Sequence, residues 1–220
     1  MPTPPLTPTI WALVVPVKRF DVAKSRLRRL AGDLREQLAL AFACDTVAAA
    51  LACPSVGGLV VVTSEPSARD ALGALGADVV PDVPDAGLNP ALRHGVFRAA
   101  EGFPGCGVGA LSSDLPALRP AELELALQAA AGHPSAFVCD ATGIGTTMLV
   151  ARSVTDFAPS FGHRSRSAHR AAGVHELDLE GIATLRRDVD TAVDLHDARR
   201  LGLGPRSAEV VAEILGRTPG

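Results

Sequence analysis

The chain has 220 residues, 47% of them hydrophobic and 20% charged, with a formal net charge of -3. That length and composition suit one folded unit with a substantial core, and the mild acidity excludes a protein that coats nucleic acid with its whole surface. With no Tyr, one Trp and seven Phe, there is also little material for stacking single-stranded bases.

The opening MPTPPLTPT has neither the basic nor the apolar region of a signal peptide. Residues 1–9 therefore read as a flexible arm ahead of a single domain over 10–220, and the compartment as cytoplasm. Trp11 to Val17 reads as the first, central strand. Lys18, Arg19, Lys24, Arg26, Arg28 and Arg29 follow in a loop that runs into a helix from about Ser25. Cations and free N–H groups placed after a buried strand suit a triphosphate, although a solvated helix face would carry the same charges.

Asp33 and Glu36 have capping-box spacing for a long helix reaching about Ala52, which is too short to span a membrane. Cys44, Cys53, Cys106 and Cys139 have no metal or redox spacing and read as buried thiols. Strands at 58–63 and 77–80 flank a helix at 66–75, an alternation that builds a largely parallel sheet. In GLNPALRHG at 87–95, Asn89 reads as a helix N-cap or, alternatively, as an amide that could read a base or ribose.

VGALSSDLPAL at 108–118 is a buried strand that delivers Asp114 to its C-terminal edge. Asp114 suits a hard cation such as magnesium held against phosphate oxygens, or the cap of a helix beginning near Arg119. A helix at 121–131 and a strand at 135–139 precede the turn Asp140 to Thr147, whose Thr146 and Thr147 could offer hydroxyls to an anion. Phe161 to Arg170 is a second cationic loop entering a helix, with the Gly, Ser and Arg residues of a phosphate nest. His163, His169 and His175 share no helix face, so zinc is not expected. Asp188 and Asp190 alternate at an expected strand end, where both would face one side; Asp190 could instead cap the helix from Ala192. A terminal helix covers about 206–215.

Two basic loops and two acidic positions at strand ends suggest phosphoryl or nucleotidyl transfer. Six segments in this order resemble the CofC/FbiD family, the guanylyltransferases of deazaflavin coenzyme F-420 biosynthesis: VPVKRFDVAKSRL at 15–27, GLNPALRHG at 87–95, SSDLPAL at 112–118, GIGTTML at 143–149, SFGHRSRSAHRAAG at 160–173 and RRDVDTAVDL at 186–195. The resemblance implies a three-layer α/β nucleotidyltransferase fold, MobA-like, with a mostly parallel central sheet. It implies GTP and phosphoenolpyruvate as substrates, with 2-phospho-L-lactate or 3-phospho-D-glycerate as the alternative acids. The Ala-, Arg-, Gly- and Leu-rich composition, as of a GC-rich bacterial gene, favours phosphoenolpyruvate. On the matching positions, Lys18, Lys24 and Arg26 form the triphosphate clamp and Leu88 and Asn89 lie near the guanosine. Thr147, Gly162 and Ser165 contact phosphoenolpyruvate, and Asp114 with Asp188 or Asp190 ligate Mg2+. A downstream transferase of the pathway and a homodimer are the partners this reading allows, with no nucleic acid and no membrane. A nucleotidyltransferase with another acceptor, or a non-catalytic nucleotide-binding module, remains the competing reading.

Overall fold

The computed structural model describes residues 9–20, 25–83 and 85–217. The 1–8 part of the expected arm, and Lys24, lie outside the described residues. Among the described residues, strands β1 (Trp11–Val17), β2 (Val56–Thr63), β3 (Asp78–Val80), β4 (Gly107–Leu111), β5 (Ser135–Cys139), β6 (Thr146–Ala151) and β7 (His175–Glu176) form one sheet in the order β3-β2-β1-β4-β6-β5-β7. Each pair is parallel except the two that β6 makes, with β4 and β5. The apolar runs of β1 and β4 are buried on both faces, as strands covered by helices on either side must be.

The helices are α1 (Arg28–Ala31), α2 (Arg35–Leu51), α3 (Pro66–Gly73), α4 (Leu88–Gly102), α5 (Pro120–Ala130), α6 (Ser165–Ala171), α7 (Ala183–Arg186), α8 (Ala192–Leu201) and α9 (Pro205–Arg217). Period-2 alternation sends Leu13 and Val15 into a core shared with α2 and α5, and Ala12 and Val14 into one shared with α4. A third cluster joins the outer side of α2 to α8 and α9. The layers are therefore helix, sheet and helix, as expected, and no helix among the described residues is long and apolar enough to cross a membrane.

Several local expectations are corrected. Asp33 and Glu36 do not form a capping box, because a 3-10 turn over Gly32–Leu34 runs straight into α2 and makes Leu34 the N-cap. The Asp33 carboxylate instead meets Arg217 at 3.3 Å. Gly87, not Asn89, is the N-cap of α4. No strand covers 185–191: the chain leaves α7 as a loop, and Thr191 rather than Asp190 caps α8, in a capping box with Asp194.

Asp45, a carboxylate in the otherwise apolar α2, has a structural task. It accepts from Ser207 N at 2.7 Å and Arg206 N at 3.3 Å, capping the first turn of α9 from another helix. A buried acceptor for charge-assisted bonds is worth about 1.5–3 kcal/mol, so Asp45→Ala is expected to lose about that much in a urea melt. A Cβ at Gly204 would collide with the same carboxylate, and Gly204→Ala should therefore also lower the midpoint. Unchanged melts in both variants would remove Asp45 from this role.

The four cysteines are free thiols, three of them buried and Cys106 half-buried. Burial, with a hydrogen bond to Glu124, pushes the Cys53 thiol up to about 12. At neutral pH it is therefore held as the thiol, not the nucleophilic thiolate.

Candidate active site

The site is built where the strand order reverses. From β1 the chain adds β2 on one side, while β4 joins on the other, and open α/β sheets bind ligands at such a point. β1 stays paired with β2 as far as Val17, but with β4 only as far as Val14 opposite Ala110. The last turns of the two strands therefore diverge, and Pro16 is tolerated in β1 where the β4 pairing has ended. Two adjoining cavities of about 250 and 220 Å³ open there, sharing Pro16, Val17, Lys18 and Leu88. The first is bordered by Ser112, Ser113, Asp114 and Asp190; the second by Arg19, Ser64, Asp82 and Asp85.

Asp114 is not a helix cap. The N-cap of α5 is Arg119, with Pro120 in the first turn and no side-chain cap bond. Its backbone is instead held on two sides. Thr46 of α2 accepts from Leu115 N at 3.0 Å and lies 3.3 Å from Ser113 O, while Val189 N donates to Asp114 O at 3.0 Å. Thr46 belongs to no motif of the sequence. Its sequence signal is a hydroxyl residue within an apolar helix, and the structure shows it fully buried, where polar groups require partners.

The 186–190 loop acts as a strap across this edge: Arg186 O accepts from Ala141 N after β5, and Val189 binds Asp114. The strap puts Asp190 on the cavity wall, whereas the half-buried Asp188 does not border the cavity. Because this stretch is a loop, the expected one-sided alternation of the two carboxylates does not arise. Among the described residues, no three His, Cys, Asp or Glu side chains gather to hold a metal ion by themselves.

Thr147 and Thr146 are separated by a β-bulge. Val138 pairs with Met148 but Cys139 pairs with Thr146, leaving Thr147 as the extra residue. Thr147 O accepts from Ser112 N at 2.8 Å, which puts it beside the Ser112–Asp114 turn. The Thr146 hydroxyl bonds His169 Nδ1 at 3.0 Å, while the fully buried Thr147 hydroxyl has no partner among the described residues. His169 also accepts from Ser160 N at Nε2, so the ring is the neutral Nδ1–H tautomer. Burial among Phe137 and Phe161 lowers its pKa to about 4.

The loop so anchored carries Gly162, at φ +132 in a conformation that suits glycine, and leads to Ser165, which is buried at the start of α6. Asn89 grips the same loop. Its amide donates to Phe161 O at 3.0 Å and accepts from Phe161 N at 2.8 Å. Lys18 is exposed and borders both cavities; Arg26 is exposed in the 3-10 turn before α1, bordering neither. Phe20, which follows Lys18 and Arg19 in the basic loop, is fixed by Arg35 Nη1 at its carbonyl and Glu65 at its N–H. A larger, open hollow of about 620 Å³ lies behind the strap, against Arg186, Arg187 and Asp197. It contains none of the expected site residues.

Comparison with known proteins gives the chain its relatives. A protein from Thermomonospora curvata named phosphoenolpyruvate guanylyltransferase is 55% identical over 210 residues, covering 96% of this chain and 92% of the relative. One of the same name from Streptomyces coelicolor is 55% identical over 208 residues, covering 93% and 97%. A solved structure from Desulfovibrio desulfuricans G20, described as a candidate nucleotide-diphospho-sugar transferase, superposes with a TM-score of 0.68 at 18% identity. That match covers 94% of this chain and 95% of the other, and carries the fold alone. The family model for CofC-like guanylyl transferases matches residues 11–201, a span that contains both cavities, the strap and the clamped loop, and the chain belongs to that family.

Proposed function

We propose that the chain condenses GTP with phosphoenolpyruvate, giving enolpyruvoyl-2-diphospho-5'-guanosine and pyrophosphate, as a step of deazaflavin coenzyme F-420 biosynthesis. The observation that carries this reading is the cavity at the β1/β4 reversal, which Lys18, Asp114 and Asp190 all border, in a chain sharing 55% identity with proteins named for this activity.

The chemistry needs no general base. A phosphate monoester with a second pKa near 6 is largely dianionic at neutral pH, so its oxygen is already a nucleophile. That oxygen attacks the α-phosphorus of GTP; one P–O bond forms, the bond to the bridging oxygen of the β-phosphate breaks, and pyrophosphate leaves with the electron pair. The obstacle is repulsion between anions. Lys18, which borders both cavities, neutralises the triphosphate and the leaving group, and the resemblance adds Lys24 and Arg26 of the following segment to that clamp. Leu88 supplies an apolar wall common to both cavities on the nucleotide side. Thr147, Gly162 and Ser165 hold the acid, the unpartnered Thr147 hydroxyl favouring it over Thr146 as the donor.

The donor set fits magnesium: hard carboxylate oxygens, few in number, beside room for phosphate. Magnesium is ordinarily held by one or two carboxylates plus substrate oxygens and water, so two cavity carboxylates suffice without a three-residue cluster. Asp114 and Asp190 would hold it, with Asp188 supporting from the same loop. When bound, it supplies charge neutralisation at the phosphate oxygens.

The test is pyrophosphate release from the purified protein with GTP and magnesium, offered phosphoenolpyruvate, 2-phospho-L-lactate, 3-phospho-D-glycerate or no acid. Release with phosphoenolpyruvate supports the assignment. Release with another acid alone moves the acceptor, and silence with all three from folded, GTP-binding protein overturns the reading in favour of a binding module.

A further inference from the structure

Asn89 stands at an unusual junction. Its neighbour Leu88 opens α4 and borders both cavities, while the Asn89 amide is bonded to both backbone groups of Phe161, 72 residues away. Two bonds in parallel fix orientation as well as distance, and an amide is suited to this because it pairs a donor with an acceptor. The edge a purine would need is thus engaged by the protein itself. The same loop is fixed a second time one residue earlier, where Ser160 N donates to His169 Nε2 at 3.0 Å. The next residue, Gly162, is one that the proposed function places on the acid.

We propose that Asn89 is a positioning residue for the acid, not a reader of the guanine base: it locks the Phe161–Gly162 loop to the first turn of α4. This inference rests on the acid assignment above. Through Asn89 the loop that carries the acid and the turn that borders the nucleotide cavity become one rigid part, so the gap between the attacking oxygen and the α-phosphorus is set by the fold. Misplacement of reacting groups by about 1 Å can cost 10²-fold in rate. Both Asn89 side-chain bonds go to the backbone of Phe161 and neither to Leu88, which walls the two cavities, so the GTP contact is expected to survive their loss.

The experiment compares wild type with Asn89→Ala and Asn89→Asp in three readouts. Asn89→Asp keeps the acceptor for Phe161 N and loses the donor to Phe161 O, so it preserves most of the local packing if the alanine variant folds poorly. Amide hydrogen exchange should show faster exchange at Ser160–Gly162 in both variants. Steady-state kinetics should show kcat/KM for phosphoenolpyruvate falling about 10²-fold. The GTP Kd measured without acid, and the preference for GTP over ATP, should stay within about twofold, a split that a purely structural lesion would not produce. Weaker GTP binding with relaxed base preference and an unchanged KM for the acid would overturn the proposal and assign Asn89 to the base. Faster exchange with unchanged acid kinetics would also overturn it, by separating the loop from the acid. A wild type inactive with every acid defeats the acid assignment itself, and the proposal with it, whatever the exchange data show.

Discussion

Asp114→Asn is expected to lower magnesium-dependent pyrophosphate release by about 10³-fold or more, equivalent to about 4 kcal/mol of transition-state stabilisation. The substitution removes the charge and leaves the shape. Thr46 and Val189 hold this residue through backbone groups of 113–115, which asparagine retains, so the turn keeps these anchors in the variant. The cap alternative predicts the reverse pattern, a stability loss with activity preserved, but Arg119 occupies the cap position. Thr46→Val serves as the companion variant: it keeps the carboxylate and removes the hydroxyl that positions it, so activity should fall by less than in Asp114→Asn. Wild-type turnover in Asp114→Asn would remove this carboxylate from the metal assignment.

Acidification is expected to destabilise the protein by up to about 3 kcal/mol through His169 alone. Burial depresses its pKa from 6.5 to about 4 in the folded protein. Above pH 6.5 the ring is neutral in both states and contributes no pH dependence. Between pH 6.5 and 4 the unfolded chain takes up a proton that the folded chain refuses, so the unfolded state gains and stability falls as pH drops. Below about pH 4 both states are protonated and the loss levels off. Urea melts from pH 7.5 to 4 should show this decline, and His169→Gln should flatten it by the same amount after the shared carboxylate contribution is subtracted. Equal slopes in the two proteins would mean that His169 titrates normally. Over the range where phosphate esters are dianionic the imidazole stays neutral, so the loop it holds through Ser160 N keeps its anchor.

Local pattern was enough for much of this fold. Apolar runs alone give β1 at Trp11–Val17 and β5 at Ser135–Cys139 with the observed bounds, because compact apolar runs ended by proline, aspartate or basic residues identify buried strands. The alternation of strands and helices implied a mostly parallel three-layer architecture, and ordered motifs carried the family resemblance. What sequence spacing left open was decided by partners remote in the chain. The cap reading of Asp114 falls because Arg119 takes the N-cap of α5, and Thr46, 69 residues from Leu115, accounts for what holds the turn. Thr146 and Thr147 are adjacent in sequence, and only the bulge against Cys139 shows one hydroxyl bonded to His169 and the other unpartnered. Asp188 and Asp190 looked equivalent under a period-2 rule that a strand would obey, but the loop over 187–191 places only Asp190 on the cavity. Propensity and periodicity follow from contacts within a few residues, whereas caps, clamps and site walls depend on which remote groups the packed layers bring within hydrogen-bonding distance.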